Sequence, residues 1–224
     1  VIGKEVMSNS IMALEAAEAP KRIAEQLAAN AATVEQVVAQ IRQRAPKFVY
    51  MVGRGSSDHA GVFAKYLIEI EIGLPVAAAA PSIASVYNKS LQLKDALVLV
   101  ISQSGRSPDI LAQVEMAKRS GAMVVALVND TTSPLAEQAH YTLPLHVGAE
   151  KAVAATKSYL ATLSAILQLV SVWSGNQPLQ QAVQQLPQSL EQAIELPQQL
   201  NAAALEKVAH LVVLGRGLGY AISR

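Results

Sequence analysis

Five apolar runs of five or six residues, separated by segments with helical spacing, set the plan of this chain: Phe48–Val52, Val76–Ala80, Ala96–Ile101, Met123–Val128 and Tyr141–Leu145. Continuous apolar runs read as strands buried on both faces, and their alternation with helices predicts a parallel sheet covered on each side, a three-layer αβα sandwich of the α/β class. The third run is the organising one. It ends abruptly in Ser102-Gln103-Ser104-Gly105 and passes through a short polar turn into a helix predicted to start at Ser107-Pro108-Asp109. Ser107 suits a cap, Pro108 the first helical position, where no N–H is needed, and Asp109 the positive end of the helix dipole. Backbone N–H groups and the hydroxyls of Ser102, Ser104 and Ser107 are thus expected to converge at a helix N-terminus, which can hold phosphate without any Lys or Arg. The first run repeats this logic, leading through Gly53-Arg54-Gly55-Ser56-Ser57 into a helix that reaches about Ile72. Ser133-Pro134 repeats the cap-plus-proline start.

The flanking segments are helical in pattern. Residues 8 to 45 read as helices broken at Pro20, with Thr33-x-x-Gln36 as a capping box, packing across the sheet edge or onto a partner. A short helix is expected at Ser82–Asn88, and a long apolar one at Val153–Trp173, too hydrophobic to face water. Gln177–Gln199 is glutamine-rich and reads as short helical pieces divided by Pro178, Pro187 and Pro197. Near the end, His210–Gly217 (HLVVLGRG) echoes Phe48–Gly55 (FVYMVGRG) about 162 residues further on. The expected organisation is N-terminal helices over 1–46, an α/β domain over 47–175, a helical connector over 176–207, and the beginning of a second, similar domain over 208–224.

Composition narrows the function classes. With 51% hydrophobic residues in 224, the chain can bury a substantial core. A net charge of +1 with no basic run argues against nucleic acid and against an electrostatic membrane anchor, and 4% aromatics argue against base stacking. There is no cysteine, which removes disulfides, thiolate metal sites and cysteine nucleophiles. The apolar stretch at Ala161–Trp173 is shorter than the roughly 20 residues of a membrane span. The expectation is a cytoplasmic protein. His140, His146 and His210 lack acidic or cysteine neighbours at metal spacing, so neither a metal nor a cofactor is expected. Gly53-x-Gly55 is a poor dinucleotide fingerprint, because position 58 is Asp58 and no acid closes the second strand. A Walker loop is missing too. What remains is two serine-rich turns at strand carboxyl ends, suited to a phosphate monoester on a polyol.

Three segments resemble the signature segments of sugar isomerase (SIS) domains: Gly55-Ser56-Ser57, Ser102-Gln103-Ser104-Gly105 with Ser107, and Val153-Ala154-Ala155-Thr156-Lys157. The likeness is to the isomerase half of glucosamine-6-phosphate synthase and to its relatives without a glutaminase domain. It spans about Met12 to Trp173, with the start of a second copy in the last fifteen residues. It implies a flavodoxin-like five-stranded sheet and a sugar phosphate held by Ser102, Gln103, Ser104 and Ser107, helped by Ser57 and the backbone around Gly55, Ser56 and Gly105. Val153 and Ala155 would meet the sugar, although Ala155 stands where the synthase has a serine. The resemblance also implies a homodimer. In the synthase the acid–base glutamate, the ring-opening histidine and the Schiff-base lysine lie in the second repeat and the tail.

Within this chain the candidates for proton transfer are Glu150, Lys157 and His59. The favoured reading of these two is structural, with Glu150 capping the long helix and Lys157 making an ion pair. Arg54 and Arg216 hold equivalent places in the two repeats, suited to phosphate or to a nearby acid. The chemistry so implied is aldose–ketose isomerisation of a 6-phosphorylated amino sugar such as glucosamine 6-phosphate, or of fructose 6-phosphate, with loss or gain of ammonia. The alternative is a sugar-phosphate sensor that catalyses nothing.

Overall fold

The apolar runs form five strands, β1 Phe48–Val52, β2 Val76–Ala78, β3 Ala96–Ser102, β4 Met123–Val128 and β5 Tyr141–Pro144, in a computed structural model that describes residues 10–196, 205–206 and 208–223. All neighbours pair in parallel in the order β2-β1-β3-β4-β5. Every residue of β3 and β4 is buried, as unbroken apolar runs require.

Alternation along β3 divides the core. Leu97, Leu99 and Ile101 face one layer, built on α2 (Ala19–Arg44), α3 (Ser56–Glu71), α7 (Lys157–Ser174) and α8 (Gln177–Glu195). Val98 and Val100 face the other, built on α5 (Pro108–Arg119) and Leu135 of α6 (Pro134–Gln138). The helices that follow β1 and β3 therefore leave on opposite faces. In an open sheet that divergence opens a crevice at the carboxyl ends of the two adjacent strands, the place where such folds bind ligands.

Several helix boundaries differ from the expectation, each for a packing reason. The N-terminal break falls at Glu18, between α1 (Ile11–Ala17) and α2, and Pro20 sits in the first turn of α2, where its missing N–H costs nothing. Thr33 starts no helix. The buried stripe Ile23, Leu27, Asn30, Val34, Val37, Val38 and Ile41 runs straight past it, and packing on α7 overrides the local signal. Asn30 Nδ2 donates to Pro144 O at 2.8 Å and Gln26 Nε2 to Leu145 O at 3.1 Å, fastening α2 beside the β5 edge. The glutamine-rich segment is one helix with Pro187 inside it and Pro178 in its first turn, held to the core by Val183, Leu179, Leu186 and Leu190. Pro197 and Gln199 lie outside the described residues. The helix α4 covers only Ser82–Ser85. Around His210–Gly217 the described residues form no strand, and Leu211 to Leu214 are exposed. A turn of 3₁₀ helix, Gly217–Gly219, then leads to α9 (Tyr220–Ser223), which docks on α3 and receives a hydrogen bond from Tyr159 Oη at Ala221 O, 2.8 Å. No helix among the described residues is long and apolar enough to cross a membrane.

Candidate functional site

The two serine-rich turns lie side by side at the crevice. Val52 pairs with Val100, so the chain leaves β1 into Gly53-Arg54-Gly55-Ser56-Ser57 next to where β3 leads into Ser102–Ser107. Gly55 stands at the N-cap of α3 with φ +56, a left-handed conformation that a side chain would resist. Arg54 reaches across to Asp109 in the first turn of α5 at 2.8 Å, so the arginine pairs with an acid and ties the two turns together. The pair leaves little net charge where the two turns meet.

Within the second turn the roles of the serines separate. Ser102 is buried, and its Oγ accepts the Gly105 N–H at 3.0 Å, which shapes the turn while leaving its own proton to donate. Gln103 and Ser104 are exposed. Ser107 occupies the N-cap position of α5 with extended backbone, yet its hydroxyl makes no capping hydrogen bond, contrary to the expectation. That hydroxyl and the first N–H groups of α5, which have no intrahelical acceptor, face the same end of the helix. Ser133, by contrast, does cap α6, accepting from Ala136 N at 3.3 Å. Gly105 has φ +64 and packs on Ser133 so closely that a Cβ would lie 2.7 Å from Ser133 Cβ.

Further contacts wire the turn to its surroundings. Arg106 pairs with Asp130 at 2.7 Å; hydrogen bonds from Thr132 and then Arg106 draw the Asp130 carboxyl down to about 2. Asn129 N donates to Gln103 O at 3.3 Å, while the Asn129 side chain donates to Gly148 O at 2.9 Å and accepts from Val147 N at 3.1 Å. Asn129 thus couples the serine turn to the segment that carries Glu150. Nothing local in the sequence marks it. Two clefts flank the turns. One, of about 510 Å³, is lined by Gly53, Arg54, Gly55 and Asp109 with residues of the β2–α4 connection. The other, of about 800 Å³, is lined by Gln103, Asn129, His146 and Glu150, with Arg22 and Glu25 of α2 on its far wall.

The third motif is a loop where a helix was expected, because α7 begins at Lys157 and leaves Val153, Ala154 and Ala155 exposed. Glu150 is the reason. Its Oε1 accepts from Thr156 N at 2.8 Å and Ser158 N at 3.4 Å, and its Oε2 takes a short hydrogen bond from the Ser158 hydroxyl. Burial pushes this carboxyl up, but the bonds from Ser158 and Thr156 together outweigh burial and hold it below the usual carboxylate range. A carboxylate so placed caps a helix and is a weak base. Lys157 is buried and donates to Glu18 Oε2 at 2.8 Å, so its ammonium is committed to an ion pair. His59 is half-buried in the first turn of α3. His140 accepts Val124 N at its Nδ1, 3.0 Å, and burial, followed by the Lys118 and Arg44 charges, lowers its pKa. Among the described residues no cluster of His, Asp or Glu could hold a metal ion.

An open doubly wound sheet with two serine turns at its switch point belongs to the class of α/β domains that place ligands at the carboxyl ends of their strands. Residues 44–172 match the SIS domain family, and the chain belongs to it. It is 34% identical over 194 residues to a glutamine–fructose-6-phosphate aminotransferase (isomerizing) of Symbiobacterium thermophilum, a match covering 80% of this chain and 31% of that one. The chain thus spans about a third of the length of such relatives. Among solved structures, a candidate phosphosugar isomerase from Silicibacter pomeroyi is 43% identical, with TM-score 0.80 over 82% of this chain and 56% of that one. The C-terminal domain of glucosamine-fructose-6-phosphate aminotransferase from Francisella tularensis shares the fold at 23% identity, TM-score 0.75, over 96% of this chain and 64% of that one. The chain is accordingly an SIS domain of the type found in phosphosugar isomerases and related to those aminotransferases.

Proposed function

We propose that this chain holds the phosphate of a phosphorylated sugar between the β1 and β3 turns. In this reading Ser104, Ser107, Ser57 and Gln103 supply side-chain donors, Ser102 and Gly105 shape the turn, and Gly55 and Ser56 offer backbone N–H groups. Val153 and Ala155 meet the sugar. The observation that carries the reading is the adjacency of two serine turns, each opening a helix, at the β1/β3 switch point, where Arg54 and Asp109 neutralise each other. A dianionic ester placed there gains hydroxyl donors and the positive ends of two helices.

The domain would serve an aminosugar-phosphate isomerase or deaminase acting on glucosamine 6-phosphate or fructose 6-phosphate. A proton leaves C2 of the opened amino sugar and returns at C1, and water then hydrolyses the resulting imine to fructose 6-phosphate and ammonia. Glu150 and Lys157 are engaged in capping and pairing, so the proton-transfer group is assigned to a second repeat, of which His210–Gly217 would be the opening segment. The same engagement favours the other reading, a sensor that binds the ligand unchanged. The full-length protein is expected to release ammonia from glucosamine 6-phosphate, and Ser104→Ala to weaken binding about tenfold or more, the loss expected for a hydrogen bond to a charged group. Binding without any turnover would select the sensor, and absence of binding would remove both.

A further inference from the structure

The N-terminal helix α1 is docked inside out. Ile11, Met12 and Leu14 are 57%, 47% and 54% exposed, whereas Glu15 is only 7% exposed. Glu15 reaches the third motif, 136 residues away in sequence: Oε1 accepts from Lys151 N at 2.6 Å and Oε2 from Ala152 N at 3.0 Å. Burying a carboxylate is costly unless its charge is answered by hydrogen bonds, and here both oxygens are spent on one surface loop. On the other side of that loop Glu150 holds Thr156 and Ser158, while Glu18 holds Lys157. Between the two anchors only Val153, Ala154 and Ala155 are left, with Val153 at 108% exposure. An apolar tip fully in water, braced on both sides by carboxylates, gains nothing for the core.

We propose that Glu15 is a positioning residue that fixes the Val153–Ala155 tip against the ring of the bound sugar, acting through the Lys151 and Ala152 N–H groups. The inference rests on the sugar-phosphate reading above. It separates two parts of the ligand: the serine turns take the phosphate, whereas Glu15 governs only what the polyol gains. Glutamine at this position keeps one acceptor and turns an amino group toward the second N–H, so the brace is half lost with little change of volume.

The test is calorimetric titration of the full-length protein, of Glu15→Gln and of Ser104→Ala, each with inorganic phosphate and with glucosamine 6-phosphate. Glu15→Gln is expected to leave phosphate affinity unchanged and to weaken glucosamine 6-phosphate about tenfold, the scale of one lost charge-assisted hydrogen bond. Ser104→Ala is expected to weaken both. A Glu15→Gln protein that binds both probes as the parent does, or loses both equally, overturns the assignment of Glu15 alone. A parent that binds neither probe overturns the sugar-phosphate reading and this inference with it. Should Glu15→Gln not fold, hydrogen exchange in the parent decides: glucosamine 6-phosphate is expected to protect amides 151–156 and inorganic phosphate to leave them unchanged. Equal behaviour with the two probes overturns the proposal.

Discussion

Gly105→Ala is expected to lower the stability of this domain by roughly 2–5 kcal/mol and, on the proposed reading of the site, to abolish sugar-phosphate binding. Two costs add. The residue has φ +64, where an L side chain costs roughly 1–2 kcal/mol. Its Cβ would also lie 2.7 Å from Ser133 Cβ and 3.0 Å from Val128 Cγ2, an overpacking that typically costs about 1–3 kcal/mol. For a chain of this length the melting temperature should fall by about 5–15 °C. Ser133→Gly removes the closest clash but not the backbone strain, and gives up the side-chain cap of α6, which costs only about a few tenths of a kcal/mol when glycine takes the N-cap place. The double variant should therefore be less destabilised than the sum of the two single variants. Strict additivity in thermal melts would mean that Gly105 does not pack on Ser133 as described.

The second large effect concerns the ion pair that joins the N-terminal helices to the third motif. Lys157 and Glu18 meet at 2.8 Å with side-chain exposures of 3% and 44%. This asymmetry predicts unequal single variants. Glu18→Ala strands a buried ammonium and should cost about 1–3 kcal/mol, discounted from the fully buried case because the acid is half in water. Lys157→Met leaves a carboxylate that water can solvate and should cost less. The hydrogen bond from Lys157 is the chief cause that holds the Glu18 carboxyl below its usual range. Its contribution is therefore complete above the unfolded glutamate value of about 4.3 and lost as pH falls through the folded value. Denaturant titrations should show the gap between parent and Lys157→Met narrowing as pH drops below about 4.3. A gap that is constant with pH, or a Lys157→Met costlier than Glu18→Ala, would contradict the assignment.

The strands and both serine turns were legible because their signals are local: unbroken apolar runs that end in Gly53-Arg54-Gly55 and in Ser102-Gln103-Ser104-Gly105. The cap-plus-proline start of α6 was equally plain. Misreadings arose where tertiary contacts overrode local chemistry. Thr33 carries a good cap signal, but the buried stripe of α2 continues through it. Pro187 carries a good break signal, but Leu186 and Leu190 hold the helix together across it. The helix predicted from Val153 starts at Lys157, since Glu15 and Glu150 take the preceding backbone N–H groups for a loop. Glu15 itself was invisible, its partners lying 136 and 137 positions away. The one clue was its place in IMALEAA, an acid among apolar residues, which reads as the solvent face until the helix is seen to dock the other way. Asn129 was hidden for the same reason, as a loop asparagine whose contacts are all made by folding.

The most direct measurement is a crystal structure of the protein with glucosamine 6-phosphate. The phosphorus atom is predicted between the Gly53–Ser57 and Ser102–Ser107 turns, within hydrogen-bonding reach of Ser104 and Ser107, with the sugar directed toward Val153. A phosphate seated on Arg22 across the larger cleft, or no ligand at the crevice at saturating concentration, would contradict the account.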